Sequence, residues 1–142
     1  TCTVAGTRLD ACSGSRGGTV KPDVLLASQR AADYAAIVFV GGGGSRLLWD
    51  DPQAHRLAHE AAESGLVLAA ICLAPVLLSR AGVLKGRRAT VAGTESAALE
   101  AAGAVYTGPG VTVDGQFVTA NGPKSSAAFG ERIAELLAGR PT

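Results

Sequence analysis

Two apolar runs without polar alternation dominate the pattern of this chain: Ala36-Ile37-Val38-Phe39-Val40 and Leu66-Val67-Leu68-Ala69-Ala70-Ile71. Runs of this length, rich in Val, Leu and Ile, are what parallel strands buried on both faces look like. Between them Ala54, Leu57, Ala58 and Ala61 recur at helical spacing. Pro52 to Glu63 therefore reads as an amphipathic helix, with Asp51 as N-cap, Pro52 at its first position and Gly65 ending it. A last helix, from about Lys124 to Ala138, carries Phe129, Ile133, Leu136 and Leu137 at i, i+4, i+7 and i+8.

Weaker signals fill the rest. Thr1 to Ala5 and Pro22 to Ala27 read as short strands, separated by a polar excursion from Gly6 to Lys21. Ala74 to Ala81 is expected to be helical, Ala89 to Val91 a strand, and Ser96 to Ala102 a helix stopped by Gly103. Val111 to Thr119 is expected to form a hairpin, with Asp114-Gly115 in a two-residue type I′ turn. Strands alternating with helices predict a doubly wound α/β sandwich.

The second apolar run ends on Cys72, and a helical pattern opens within three residues at Pro75. Cys72 thus falls at the carboxyl end of a sheet strand, where open α/β sheets place ligands. Helix N-terminal N–H groups favour the thiolate of a cysteine so placed. The arrangement resembles a nucleophile elbow with cysteine in place of serine. The competing reading is a small buried hydrophobe. The first apolar run ends in Gly41-Gly42-Gly43-Gly44-Ser45, a loop whose main-chain N–H groups can approach a substrate oxygen closely. Beside Cys72, such a loop is a candidate oxyanion hole. Phosphate binding ranks lower, because neither a Walker pattern nor an intact G-x-G-x-x-G opening a helix is present.

Composition narrows the partners. The chain of 142 residues suffices for one domain with a sizeable core; it is 47% apolar, with a formal charge of +1. Without a basic cluster, nucleic acid is not expected as a partner. No apolar run reaches the ~18 residues of a membrane span, and no membrane partner is expected. The three cysteines, Cys2, Cys12 and Cys72, fit neither a metal-ligand spacing nor an even disulfide framework. A reducing, cytoplasmic setting and a small-molecule substrate are expected, with no cofactor and no metal. His55 and His59 sit at i, i+4 with Glu63 a turn further on. They lack the metalloprotease glutamate in second place, so a solvated helix face is the preferred reading. Glu95, after the short strand ending near Val91, is a candidate base, against the plainer reading of an acidic first helical turn. Trp49, the only tryptophan, reads as a packing anchor.

Several motifs in sequence order resemble the ThiJ/PfpI superfamily, which includes intracellular protease I, the Parkinson-disease deglycase and glyoxalase III. They are Asp33-Tyr34, the glycine loop, Ala69-Ala70-Ile71-Cys72-x-x-Pro75, Ala81-Gly82-Val83-Leu84-Lys85-Gly86-Arg87-Arg88-Ala89-Thr90 and Ala101-Ala102-Gly103-Ala104. Val113-Asp114-Gly115, Thr119-Ala120-Asn121-Gly122-Pro123 and Phe129 continue the match. The resemblance implies a flavodoxin-like three-layer sandwich with a mostly parallel sheet, a reactive cysteine at Cys72, and a homodimer or higher homo-oligomer. It implies an oxyanion hole from the backbone N–H groups of Leu73 and of Gly43 or Gly42. Cys12 and Arg16 fall in a loop that lies near the dimer interface in family members.

Two departures matter. Protease-like members place histidine directly after the cysteine, where this chain has Leu73. The family's glutamate belongs near the end of a first strand, whereas Thr1-Cys2-Thr3-Val4-Ala5-Gly6 resembles the second. A further N-terminal strand, a helix and that glutamate are therefore expected outside these residues. The leading expectation is a cysteine-dependent enzyme acting on small carbonyl or acyl compounds, of glyoxalase, deglycase or hydrolase type. The alternatives are a redox-sensing or stress-protective protein using an oxidisable Cys72, or an inactive homologue. Peptidase chemistry ranks below these.

Overall fold

The computed structural model describes residues 1–14 and 16–139; Ser15, within the expected polar excursion, lies outside them. In chain order its strands are β1 (Ala5–Gly6), β2 (Cys12–Ser13), β3 (Thr19–Val20), β4 (Val24–Leu25), β5 (Ala36–Phe39), β6 (Val67–Ile71), β7 (Arg88–Ala89), β8 (Val105–Tyr106), β9 (Val111–Asp114) and β10 (Phe117–Ala120). The helices are α1 (Pro52–Glu63), α2 (Pro75–Arg80), α3 (Ser96–Ala101) and α4 (Ser126–Ala138).

The main sheet runs β5-β6-β10-β9, with β5, β6 and β10 parallel and β9 antiparallel at the edge. β6 is buried along its whole length because it is paired on both sides and covered on both faces. Its residues alternate between two apolar clusters. Leu68 and Ala70 join Leu57 and Ala58 of α1, Val76 and Leu77 of α2 and Leu99 of α3. Val67, Ala69 and Ile71 join Phe129, Ile133, Leu136 and Leu137 of α4. One sheet between two helical layers is the α/β sandwich expected from the alternating pattern, and the stripe on α4 is the one its spacing gave.

Helix α1 begins as its sequence dictates: the Asp51 carboxylate accepts from Gln53 N at 2.8 Å and Ala54 N at 3.0 Å, with Pro52 following. Local differences from expectation have local causes. The Gly6–Lys21 stretch contains the antiparallel ribbon β2–β3, which its glycines and polar residues had masked. β8 also escaped the pattern, since a two-residue strand is too short for any period to register. The hairpin turn is centred on Gly115-Gln116 rather than Asp114-Gly115, because Asp114 still pairs with Phe117. Gly115 has φ 61 and Gln116 is not left-handed, so the turn has positive φ at its first central position only and is not type I′. The Asp114 carboxylate instead accepts the Arg88 N–H at 2.9 Å, tying the turn to β7.

A charged anchor joins α1 to the segment before β5. Glu60 accepts the Ala31 N–H at 3.0 Å and the Arg56 guanidinium at 2.8 Å. The backbone donor at Ala31, then Arg56, hold the Glu60 carboxyl below its ordinary value. A carboxyl depressed on folding adds stability that is present above its unfolded value of about 4.3 and is lost as pH falls through the folded one. Glu60→Gln should keep an acceptor for Ala31 yet flatten the fall in urea midpoint as pH drops below about 4.5. An unchanged acid limb in the Gln variant would assign that sensitivity elsewhere.

Candidate active site

Cys72 stands one residue past β6, and its backbone has φ 65. It is the only non-glycine residue at positive φ among those described. Left-handed backbone costs a residue with a Cβ about 1–2 kcal/mol, so the surrounding structure must hold it there. The holding contacts are evident. Cys72 N donates to Ala120 O at 2.9 Å, at the end of β10, and Cys72 O accepts from Ala92 N at 2.8 Å. The Trp49 indole N–H donates to Leu73 O at 3.0 Å. The strand-to-helix elbow expected at position 72 is thus present in the backbone.

The glycine loop packs directly on this elbow. A Cβ added to Gly41 would lie 2.7 Å from the Cys72 Cβ, 2.7 Å from Ile71 O and 3.1 Å from Leu73 N. Two of those three atoms are backbone, so glycine is required here for close approach. Gly42 follows at φ 103, and its carbonyl accepts both the N–H (3.0 Å) and the Oγ–H (2.7 Å) of Ser45. These bonds turn the chain into the short 3-10 helix Gly43–Leu48. Within the described residues the N–H groups of Gly42, Gly43 and Leu73 donate to no protein acceptor. Unspent donors thus lie on the residue after Cys72 and on the two residues after Gly41, and Cys72 itself is half-buried and free of disulfide.

Glu95 lies on the 3-10 turn Gly93–Glu95, whose preceding residue Ala92 donates to Cys72 O. Its carboxylate faces Arg46 at 4.0 Å; among the described residues no carboxylate is hydrogen-bonded to the Cys72 thiol. Trp49 is more than the packing anchor its sequence suggested, since its N–H fixes Leu73 and both Arg46 (5.6 Å) and Arg80 (5.0 Å) lie over its ring. His55 and His59 are not a bare solvated pair: their Nε2–H groups donate at 2.6 Å to Trp49 O and Ala81 O respectively. Among the described residues no group of three His, Cys, Asp or Glu is placed to hold a metal ion.

The DJ-1/PfpI family model matches residues 1–136, and the chain belongs to that family. It is 38% identical over 137 residues to an uncharacterised protein of Methanocaldococcus jannaschii, covering 94% of this chain and 67% of that one. It is 30% identical over 125 residues to a deglycase of Thermococcus kodakarensis, covering 88% of this chain and 75% of the relative. A glutathione-independent glyoxalase of Caenorhabditis elegans is 27% identical over 135 residues, 95% of this chain and 72% of its own. The crystal structure of a ThiJ/PfpI domain protein from Brachyspira murdochii superposes with a TM-score of 0.94 at 29% identity, over 98% of this chain and 80% of that one.

The backbone at position 72 gives a stability test. Glycine tolerates φ 65 and alanine does not, so Cys72→Gly should be more stable than Cys72→Ala by about 1 kcal/mol in chemical denaturation. An alanine variant of equal or greater stability would mean the elbow carries no backbone strain.

Proposed function

We propose that this protein is a cysteine-dependent enzyme acting on small carbonyl or acyl compounds, with Cys72 as nucleophile. The observation that carries the reading is the left-handed Cys72 with Gly41 packed on it, next to the unspent N–H of Leu73 and followed in the loop by those of Gly42 and Gly43. The thiolate sulfur bonds to the electrophilic carbon, and the carbonyl π pair moves to oxygen. The N–H donors then stabilise that oxyanion in fixed positions. Glu95 is the candidate base: its carboxylate takes the thiol proton and returns it to the oxygen. The named deglycase and glyoxalase relatives support chemistry on small carbonyls. A peptidase relay is not favoured, because Leu73 offers no imidazole. The working form proposed is a cytoplasmic homodimer or higher homo-oligomer, with Cys12 and Arg16 near the interface and a small molecule as substrate. No helix of the described residues is long and apolar enough to cross a membrane.

One observation keeps a second reading alive. Cys72 is half-buried and free of disulfide, so peroxide can reach a thiol that the same N–H groups would protect as a sulfinate. Steady-state assay with methylglyoxal, on wild type and Cys72→Ser, separates the two. Turnover should fall by at least about 100-fold in the serine variant, a loss typical of removing a catalytic nucleophile. Equal turnover in both would sink the nucleophile. Wild type that is inert to methylglyoxal, yet gains the mass of two oxygen atoms at Cys72 after peroxide, would put redox protection in its place.

We further propose that a strand from outside residues 1–142 pairs with β5 and brings a second carboxylate to Cys72. Among the described residues β5 pairs with β6 alone, and Val38 within it and Val40 just after it are exposed at 41% and 71%. A bare apolar edge of this kind is one that folds normally cover. Those Ala36–Phe39 amides that face away from β6 should resist hydrogen exchange at least about 100-fold longer than loop amides. Loop-like exchange there would refute the added strand.

A further inference from the structure

We infer that Arg46 makes this a site for small carbonyl compounds that carry a carboxylate beside the reactive carbon, such as 2-oxo acids and aldehyde acids. The inference rests on the proposed role of Cys72 and adds to it the class of substrate.

Two contacts place the Arg46 guanidinium, and its neighbours tie it to the elbow. It belongs to the 3-10 turn that follows the glycine loop, five residues beyond the Gly41 that touches the Cys72 Cβ. Its Nη2 reaches Glu95 at 4.0 Å, across to the turn whose Ala92 N–H holds the Cys72 carbonyl. It lies 5.6 Å from the centre of the Trp49 ring. The indole N–H of that ring is bonded to Leu73 O at 3.0 Å. One ring therefore separates the guanidinium from the elbow, and its side chain bridges the two segments that flank Cys72.

The way Arg46 is held matters as much as its place. A guanidinium over an aromatic face is fixed through its π surface, which leaves the N–H donors in its plane available. Among the described residues those donors make no hydrogen bond, because the 4.0 Å approach to Glu95 is a charge contact only. Arg80, over the same ring, has instead spent its Nη1 on Asp50 at 2.6 Å. Arg46 is thus a half-exposed cation with an open fork, and such a fork takes a carboxylate in bidentate fashion. A 2-oxo acid seated with its keto oxygen on the N–H groups of Gly42, Gly43 and Leu73 would turn its carboxylate towards that fork. Its carboxylate would replace the distant contact with Glu95 by two short bonds, leaving Glu95 unpaired for its proposed role as base.

Paired alkylating agents test this without needing turnover. Iodoacetate and iodoacetamide react alike, the thiolate sulfur forming the new bond to carbon while iodide leaves, but only iodoacetate carries the carboxylate. Rates at Cys72 are mapped by mass spectrometry and referred to exposed Cys2 of the same chain. The iodoacetate-to-iodoacetamide ratio at Cys72 should exceed that at Cys2 by at least about fivefold, as expected for a partly exposed charge-assisted pair. Arg46→Gln should abolish the excess, and Arg80→Gln should leave it. An excess that survives Arg46→Gln, or that falls equally in Arg80→Gln, overturns the assignment. Wild type gives a check independent of variant folding: pyruvate should protect Cys72 from iodoacetamide at several-fold lower concentration than pyruvamide. Equal protection by the two would overturn the inference as well. Failure of the nucleophile reading looks different, since Cys72 would then resist both reagents while Cys2 reacts.

Discussion

The structure depends on one backbone residue held where its Cβ does not want to be. Cys72 follows directly on the fully buried strand β6 and must turn the chain into α2 within three residues. No single bond keeps φ at 65; the neighbours over-determine it. β10 receives the N–H, the turn at Ala92 supplies a donor to the carbonyl, and Trp49 holds the next carbonyl along. The three holders come from three separate regions of the sequence. The site is therefore a product of the tertiary fold, and the elbow is as rigid as the sheet that carries it.

The sheet earns this rigidity from its arrangement of apolar residues. β6 sends alternate side chains into two cores, so its register cannot slip without exchanging both sets at once. α1 and α2 close one face and α4 the other. Against this frame the functional loops are built by main-chain contacts, with Gly41 placed flush against Cys72 and the following N–H groups left unbonded. Core packing and the candidate site are thus divided between strand and loop.

What was legible beforehand follows the same division. The strands of β5 and β6, the capped helix α1 and the stripe of α4 were legible because burial on one or two faces leaves a period in the residues. Cys72 was legible as an elbow because an apolar run ended on it and proline followed. β2, β3 and β8 were not legible, being two residues long and set among glycines and polar groups. The hairpin turn slipped by one residue because Asp-Gly is a strong local signal, while the register was decided by Asp114 pairing with Phe117 and accepting from Arg88. Trp49, Arg46 and Ala92 escaped as site residues for a different reason. Each reaches the elbow through a contact over 20 or more positions in sequence, or through a neighbour that does, and no local period records such a contact.

Trp49 has a practical consequence that reaches beyond packing. It is the only tryptophan in the chain, so tryptophan emission arises from one ring. That ring is bonded to the residue after Cys72 and lies beneath two guanidinium groups. The excited indole shifts charge across its rings, and its colour responds to cations near them. This molecule carries its own optical gauge of the field at the Cys72 elbow, with no label to disturb it.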